Sequence, residues 1–184
     1  MEAFRVEGVE IAPDTKDWTW VLGRACPECG FDTRTVEPDS IADRLRTVAG
    51  EWVAVLGRPG VARRPAPQVW SPLEYGCHVR DVFRIYDERL GLMLTEDDPH
   101  YPNWDQDETA VTGRYGKQDP AAVAVALRAG ADTLADHFDQ VTGKQWERSG
   151  VRSDGARFTV ATFGRYFIHD PIHHLYDATG RRAD

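Results

Sequence analysis

Four stretches of the chain repeat apolar residues at intervals of three and four, the spacing that lines one face of an α-helix. From about Ser40 to Leu56 the stripe is Ile41, Leu45, Val48, Trp52 and Val55, with Asp39 or Ser40 as cap and Gly57, Pro59 and Gly60 as stop. A second helix opens at Ser71-Pro72-Leu73-Glu74, a capping box with proline at the first helical position. Its buried face is Tyr75, Val79, Val82, Phe83, Tyr86 and Leu90, and Gly91 is the expected stop. Asp119-Pro120 starts a third helix carrying Val123, Leu127, Ala131, Leu134, Phe138 and Val141, closed by Gly143. The fourth runs from about Phe158 to Ala178, with Thr159 as cap, and is apolar on most sides, as suits a helix in the middle of a bundle.

The connections differ in character. Residues 91–118 read as one long loop, in which Glu96 to Glu108 holds six carboxylates and no Lys or Arg. Loops of that length in a compact domain are functional or mobile. Gly150 to Arg157 is turn-rich and suits a hairpin-like loop. Residues 1–38 show no sustained period and are expected to pack on the bundle through Trp18 and Trp20. No stretch alternates convincingly as a strand. The expected fold is therefore all-α: a four-helix bundle over residues 37–184 with an irregular N-terminal extension, residues 1–36.

Composition narrows the function. The chain has 184 residues, 41% of them hydrophobic, with six Trp, six Tyr and seven Phe, too apolar for a disordered chain. A net charge of −8 argues against nucleic-acid or anionic-membrane partners, which call for a basic face. No apolar run approaches the ~20 residues of a membrane helix, and residues 1–14 do not resemble a signal peptide. The expectation is a soluble cytoplasmic protein with a small-molecule substrate. Only three of its 22 basic residues are Lys, a skew associated with GC-rich genomes.

The candidate chemistry lies in the histidines. His78 sits on the second helix, and the fourth carries His169-Asp170-Pro171-Ile172-His173-His174-Leu175-Tyr176-Asp177. Residues four apart share a helix face, so His169 with His173, or Asp170 with His174, can share one metal ion. The two pairs point in directions ~100° apart. Asp170 and His174 lie closer to the stripe Val160, Phe163, Phe167 and Leu175, and periodicity alone turns them into the bundle. A buried Asp beside a buried His needs compensation, which a divalent ion with His78 as third ligand would supply. Such a set leaves positions open for water or substrate, as catalytic zinc sites do. Asp177 is the candidate to orient His174, and Asp81 to orient His78. Pro171 removes a helical hydrogen bond and should kink the helix.

Cys26-Pro27-Glu28-Cys29-Gly30 is half of a zinc-ribbon knuckle, and no second Cys-x-x-Cys exists. Three readings stay open: ligands borrowed from elsewhere in the chain or from a symmetry mate, a redox dithiol, or two ordinary cysteines in a tight turn. Cys77 points away from His78 and is expected to pack in the core. Trp104-Asp105-Gln106-Asp107-Glu108 could cover a site at the bundle mouth, whereas Arg148, Arg152 and Arg157 could instead receive a carboxylate. His100 and His137 are read as surface or packing residues.

These residues resemble the DinB/YfiT-like metal-binding four-helix bundles over about residues 37–180. Trp70-Ser71-Pro72-Leu73-Glu74-x-x-x-His78 looks like that family's second-helix signature, and Asp170-x-x-x-His174-x-x-Asp177 like its last-helix ligand pair. Family members carry His or Glu at the position of Asp170. The mycothiol-dependent maleylpyruvate isomerases, whose N-terminal domains are similar, use a carboxylate there. The resemblance implies a divalent ion, zinc or nickel, held by His78, Asp170 and His174, with His169 and His173 as the alternate pair, and often a homodimer. It also implies a thiol-dependent transferase, isomerase or hydrolase, with mycothiol as cosubstrate. The competing expectation is a non-catalytic stress or interaction protein in which a structural ion staples two helices.

Overall fold

A computed structural model describes residues 16–183 and, ahead of them, the backbone of a short antiparallel pair, β1 (Phe4–Val6) and β2 (Val9–Ile11). Four long helices form the bundle: α1 (Ile41–Leu56), α2 (Pro72–Thr95), α4 (Pro120–Asp139) and α5 (Val160–Thr179), with a short α3 (Gln106–Thr112) between α2 and α4. Helix α4 packs against both α1 and α2, and α5 closes the other side against the same two. Trp52, Phe83, Leu127, Leu134, Phe163 and Phe167 fill the centre, almost wholly buried.

The local signals act as their chemistry requires. Ser71 and Glu74 form the reciprocal capping box that starts α2, worth about 1 kcal/mol. Arg64 adds an ion pair to the same Glu74 carboxylate, with Nε to Oε2 at 2.9 Å. Burial works to raise the Glu74 pKa, but Arg64 and the Ser71 N–H and hydroxyl hold it below the usual range. Asp119 caps α4 and Thr159 caps α5. Helix α1 instead grows out of a 3-10 turn, Pro38–Ser40, and the Ser40 hydroxyl donates to Glu37 O at 2.7 Å rather than capping. Gly164 permits close approach of α5 to α1, since a Cβ there would run into Ile41 Cδ1.

Three expectations change. Helix α2 runs through Gly91 to Thr95, because nothing about that glycine forces an end: a Cβ there would meet open space and the helix still has apolar residues to bury. Residues 91–118 are not one loop. They hold the end of α2, β3 (His100–Tyr101), α3 and a 3-10 turn at Tyr115–Lys117. The fold also contains strands: β3 pairs in parallel with β4 (Ser149–Arg152), which pairs antiparallel with β5 (Arg157–Thr159). These strands are too short for alternation to register in sequence. Helix α5 continues through Pro171, whose carbonyl accepts the Trp52 indole N–H at 3.0 Å.

The N-terminal segment is anchored more deeply than its tryptophans suggest. Val21, Cys26, Cys29, Phe31, Thr33 and Val36 are buried, whereas Trp18 and Trp20 are half-buried. Among the described residues no helix is long and apolar enough to cross a membrane.

Candidate metal centres

Helix α5 presents ligand residues on two adjacent faces, and each face meets a different partner. On one, Asp170 and His174 face His78 of α2. Asp170 Oδ2 lies 3.6 Å from His78 Nε2 and 3.8 Å from His174 Nε2, and the three ligand atoms all fall within 4.8 Å of one another. A tetrahedral zinc with N and O ligands at about 2 Å would set such edges near ~3.3 Å, so the two edges at Asp170 stand within about half an ångström of that value. Both ring nitrogens of His78 and Oδ1 of Asp170 are buried without a hydrogen-bond partner. Orphaned buried polar atoms are costly, and here they belong to the residues that converge. Burial acts to raise the Asp170 carboxyl, but His174 and His78 outweigh it and hold it down to about 2. The group is therefore a carboxylate at neutral pH. Asp177 Oδ2 sits 2.9 Å from His174 Nδ1, where it fixes the tautomer that leaves Nε2 available.

Aromatic rings wall this cluster. Trp104 stacks on His78 at 5.2 Å between centroids, Tyr75 stacks on His174 at 5.1 Å, and Trp70 lies 5.7 Å from His78. The cluster opens into a cleft of about 830 Å³. Arg89 and Arg152 also line it. Arg152 is committed to Asp154 at 2.8 Å and to the Tyr166 hydroxyl at 3.3 Å. Arg89 is buried, donates to Pro102 O at 2.8 Å and lies over the rings of Tyr86 and Tyr101. Burial lowers its pKa, and no carboxylate among the described residues offsets that.

The second face carries His169 and His173, and it meets the N-terminal segment. Cys29 Sγ lies 3.7 Å from His169 Nε2, and Cys26 Sγ lies 3.7 Å from His173 Nδ1. All four ligand atoms fall within 4.8 Å of one another, and all four residues are buried. Burial, and then the neighbouring His173, push the His169 pKa down to about 4, which keeps the imidazole neutral, while burial raises the Cys29 thiol to about 12. The Trp18 ring covers both imidazoles, at 5.5 and 4.9 Å between centroids.

Comparison with known proteins places this architecture. The DinB superfamily family model matches residues 58–178. The chain belongs to the DinB superfamily. The matched span contains His78, Asp170 and His174 but neither Cys26 nor Cys29. A solved structure shares the fold of this DinB chain at a TM-score of 0.67 and 17% identity, covering 89% of this chain and 94% of the other. It is YfiT from Bacillus subtilis, described as "a probable metal-dependent hydrolase with an unusual four-helix bundle topology". No curated protein matches.

Several sequence expectations land elsewhere in this DinB fold. Asp81, expected beside His78, accepts from the Tyr115 hydroxyl at 2.5 Å and pairs with Arg80 at 3.0 Å, because the 3-10 turn at Tyr115 packs on that side of α2. His169 and His173 are buried as well, and are less exposed than Asp170 and His174, because the N-terminal segment covers their face. Arg148 donates to Met93 O at 2.6 Å and Arg157 pairs with Asp98 at 2.6 Å, so of those three arginines Arg152 alone lines the cleft. Cys77 is buried and burial raises its thiol to about 12, in keeping with a packing role. Tyr75, Arg89 and Trp70 had no assigned part in the site. Tyr75 and Trp70 lie three and eight residues before His78, and the i, i+3 helical spacing marks Tyr75 as its neighbour.

Proposed function

We propose that this DinB chain is a divalent-metal-dependent enzyme acting on a small molecule, of the thiol-dependent (mycothiol-type) transferase or isomerase kind, with His78, Asp170 and His174 as its ligands. One observation carries the reading: ligand atoms of His78, Asp170 and His174 converge within 4.8 Å of one another on the wall of an open cleft, and His78 has both ring nitrogens buried without a hydrogen-bond partner. A bound zinc or nickel ion would lower the pKa of a thiol or water at the open position and so supply a nucleophile at neutral pH. The chain's own residues do the rest. Asp177 holds the proton on His174 Nδ1. Trp104, Trp70 and Tyr75 exclude water from the ligands, which strengthens every charge interaction inside. Arg89, a buried guanidinium with no acidic partner among the described residues, anchors an anionic group of the substrate.

Elemental analysis of untagged protein tests the reading together with a thiol-transfer assay, run with mycothiol and with other low-molecular-weight thiols. His174→Ala is expected to lose an ion that wild type holds, and with it at least about a thousandfold in rate, roughly 4 kcal/mol of barrier. Equal metal content and equal rates in the two proteins would sink it.

A further inference from the structure

The Cys26-Cys29-His169-His173 cluster lies outside the site above: it joins the alternate histidine pair to two cysteines that fall outside the span the family model matches. Its chemistry is different. Two thiols and two imidazoles are the donor set of a tetrahedral S₂N₂ centre, which selects zinc among the common divalent ions. For zinc with S at about 2.3 Å and N at about 2.05 Å, tetrahedral S···N edges come to about 3.6 Å. Two of the S···N edges are each 3.7 Å, and all four donor atoms lie within 4.8 Å of one another, close to the spacing a common centre requires. The backbone around the cysteines is shaped to match. Gly30 N donates to Cys26 O at 2.9 Å and Cys26 N donates to Phe31 O at 2.8 Å, a tight knuckle that requires the positive φ of +86° at Gly30. The turn aims both sulfurs at α5, where an i, i+4 histidine pair aims back. The outer nitrogen of His173 faces carboxylates, with Nε2 3.6 Å from Glu28 Oε2 and 3.8 Å from Asp177 Oδ2. A ligating histidine usually donates its other N–H to such a partner.

We propose that Cys26, Cys29, His169 and His173 form a second, closed metal site that takes zinc and ties the N-terminal segment to α5. Binding exchanges two S–H bonds for two S–Zn bonds, releases both protons to solvent and leaves a centre of zero net charge. A neutral centre suits residues no more than 5% exposed. Four protein ligands leave no coordination position for substrate, so the ion's role is structural.

Cobalt(II) is the probe, added alone to full-length, reduced, metal-stripped protein. Wild type is expected to show a sulfur-to-cobalt charge-transfer band together with the intense visible bands of a tetrahedral ion, and zinc should displace both. His78→Ala/His174→Ala should keep the charge-transfer band, and Cys26→Ser/Cys29→Ser should lose it. The proposal is overturned if reduced wild type gives no charge-transfer band, if the purified protein carries a Cys26–Cys29 disulfide in place of an ion, or if the band survives in the cysteine variant. The wild-type spectrum decides even if the cysteine variant fails to fold. Because the His78→Ala/His174→Ala protein reports on this site alone, failure of the open-site reading is seen separately.

Discussion

The two clusters on α5 are built from nearly the same materials, one residue apart along one helix, yet they are suited to different work. His169 and His173 meet two thiols from a segment that seals the face behind Trp18. Asp170 and His174 meet a single imidazole and look into the cleft. Charge separates them as clearly as geometry does. A divalent ion among two thiolates and two imidazoles is neutral and can be buried without further compensation. The same ion among one carboxylate and two imidazoles keeps one positive charge and one open side, and it attracts an anionic thiolate, hydroxide or substrate group. Ligand count and cover thus decide between a staple and a reaction centre.

Stripping the closed site should have the largest effect on stability. An ion there joins residues 140 or more apart in sequence, and closing so long a loop removes about 4–5 kcal/mol of unfolded-state entropy by the chain model used for cross-links. At about 2–4 °C per kcal/mol for a chain of this size, Tm should fall by roughly 8–20 °C in Cys29→Ala, and by as much in wild type treated with a strong chelator. His78→Ala should move Tm by only a few degrees, and calorimetry on the two variants side by side checks this. Equal losses would erase the distinction between the sites.

A smaller effect tests the residue the sites share. Asp177 Oδ2 lies 2.9 Å from His174 Nδ1 and 3.8 Å from His173 Nε2. Asp177→Asn should weaken metal affinity at the open site by about 10–100-fold. The closed site should suffer less, since Glu28 also faces His173, and competition with a chromogenic chelator resolves the two. The mildest change is Arg89→Met, expected to raise KM for an anionic substrate by roughly tenfold, about 1.5 kcal/mol for a lost charged hydrogen bond, with kcat little altered. A fall in kcat at constant KM would instead place Arg89 in the reacting geometry.

What sequence could show here follows from how local each signal is. The capping boxes, the four stripes and the Asp170, His174, Asp177 series are contained within single helices, so periodicity and spacing expose them. The contact between Trp104 and His78 joins a loop to a helix and has no period. The closed cluster is harder still. Read alone, α5 should have one inward face, so its two i, i+4 pairs look like rivals. In the fold both faces are inward, because residues 18–36 cover the second, and the Cys-x-x-Cys and His-x-x-x-His halves carry no mark of belonging together. Turn residues at 150–157 point to the hairpin of β4 and β5, but the strands themselves, and β3 beside them, show no alternation, because two to four residues are too few.

The separation of Cys29 from His169 also has a consequence in time. During synthesis at about 5–20 residues per second, the 140 positions between them take roughly 7–28 s to translate. Throughout that interval the nascent chain displays a bare dithiol whose imidazole partners do not yet exist. The pair is then exposed to oxidants and to competing metals, and a correctly loaded centre can arise only after α5 has left the ribosome. Zinc in that position would mark a polypeptide whose translation has passed α5.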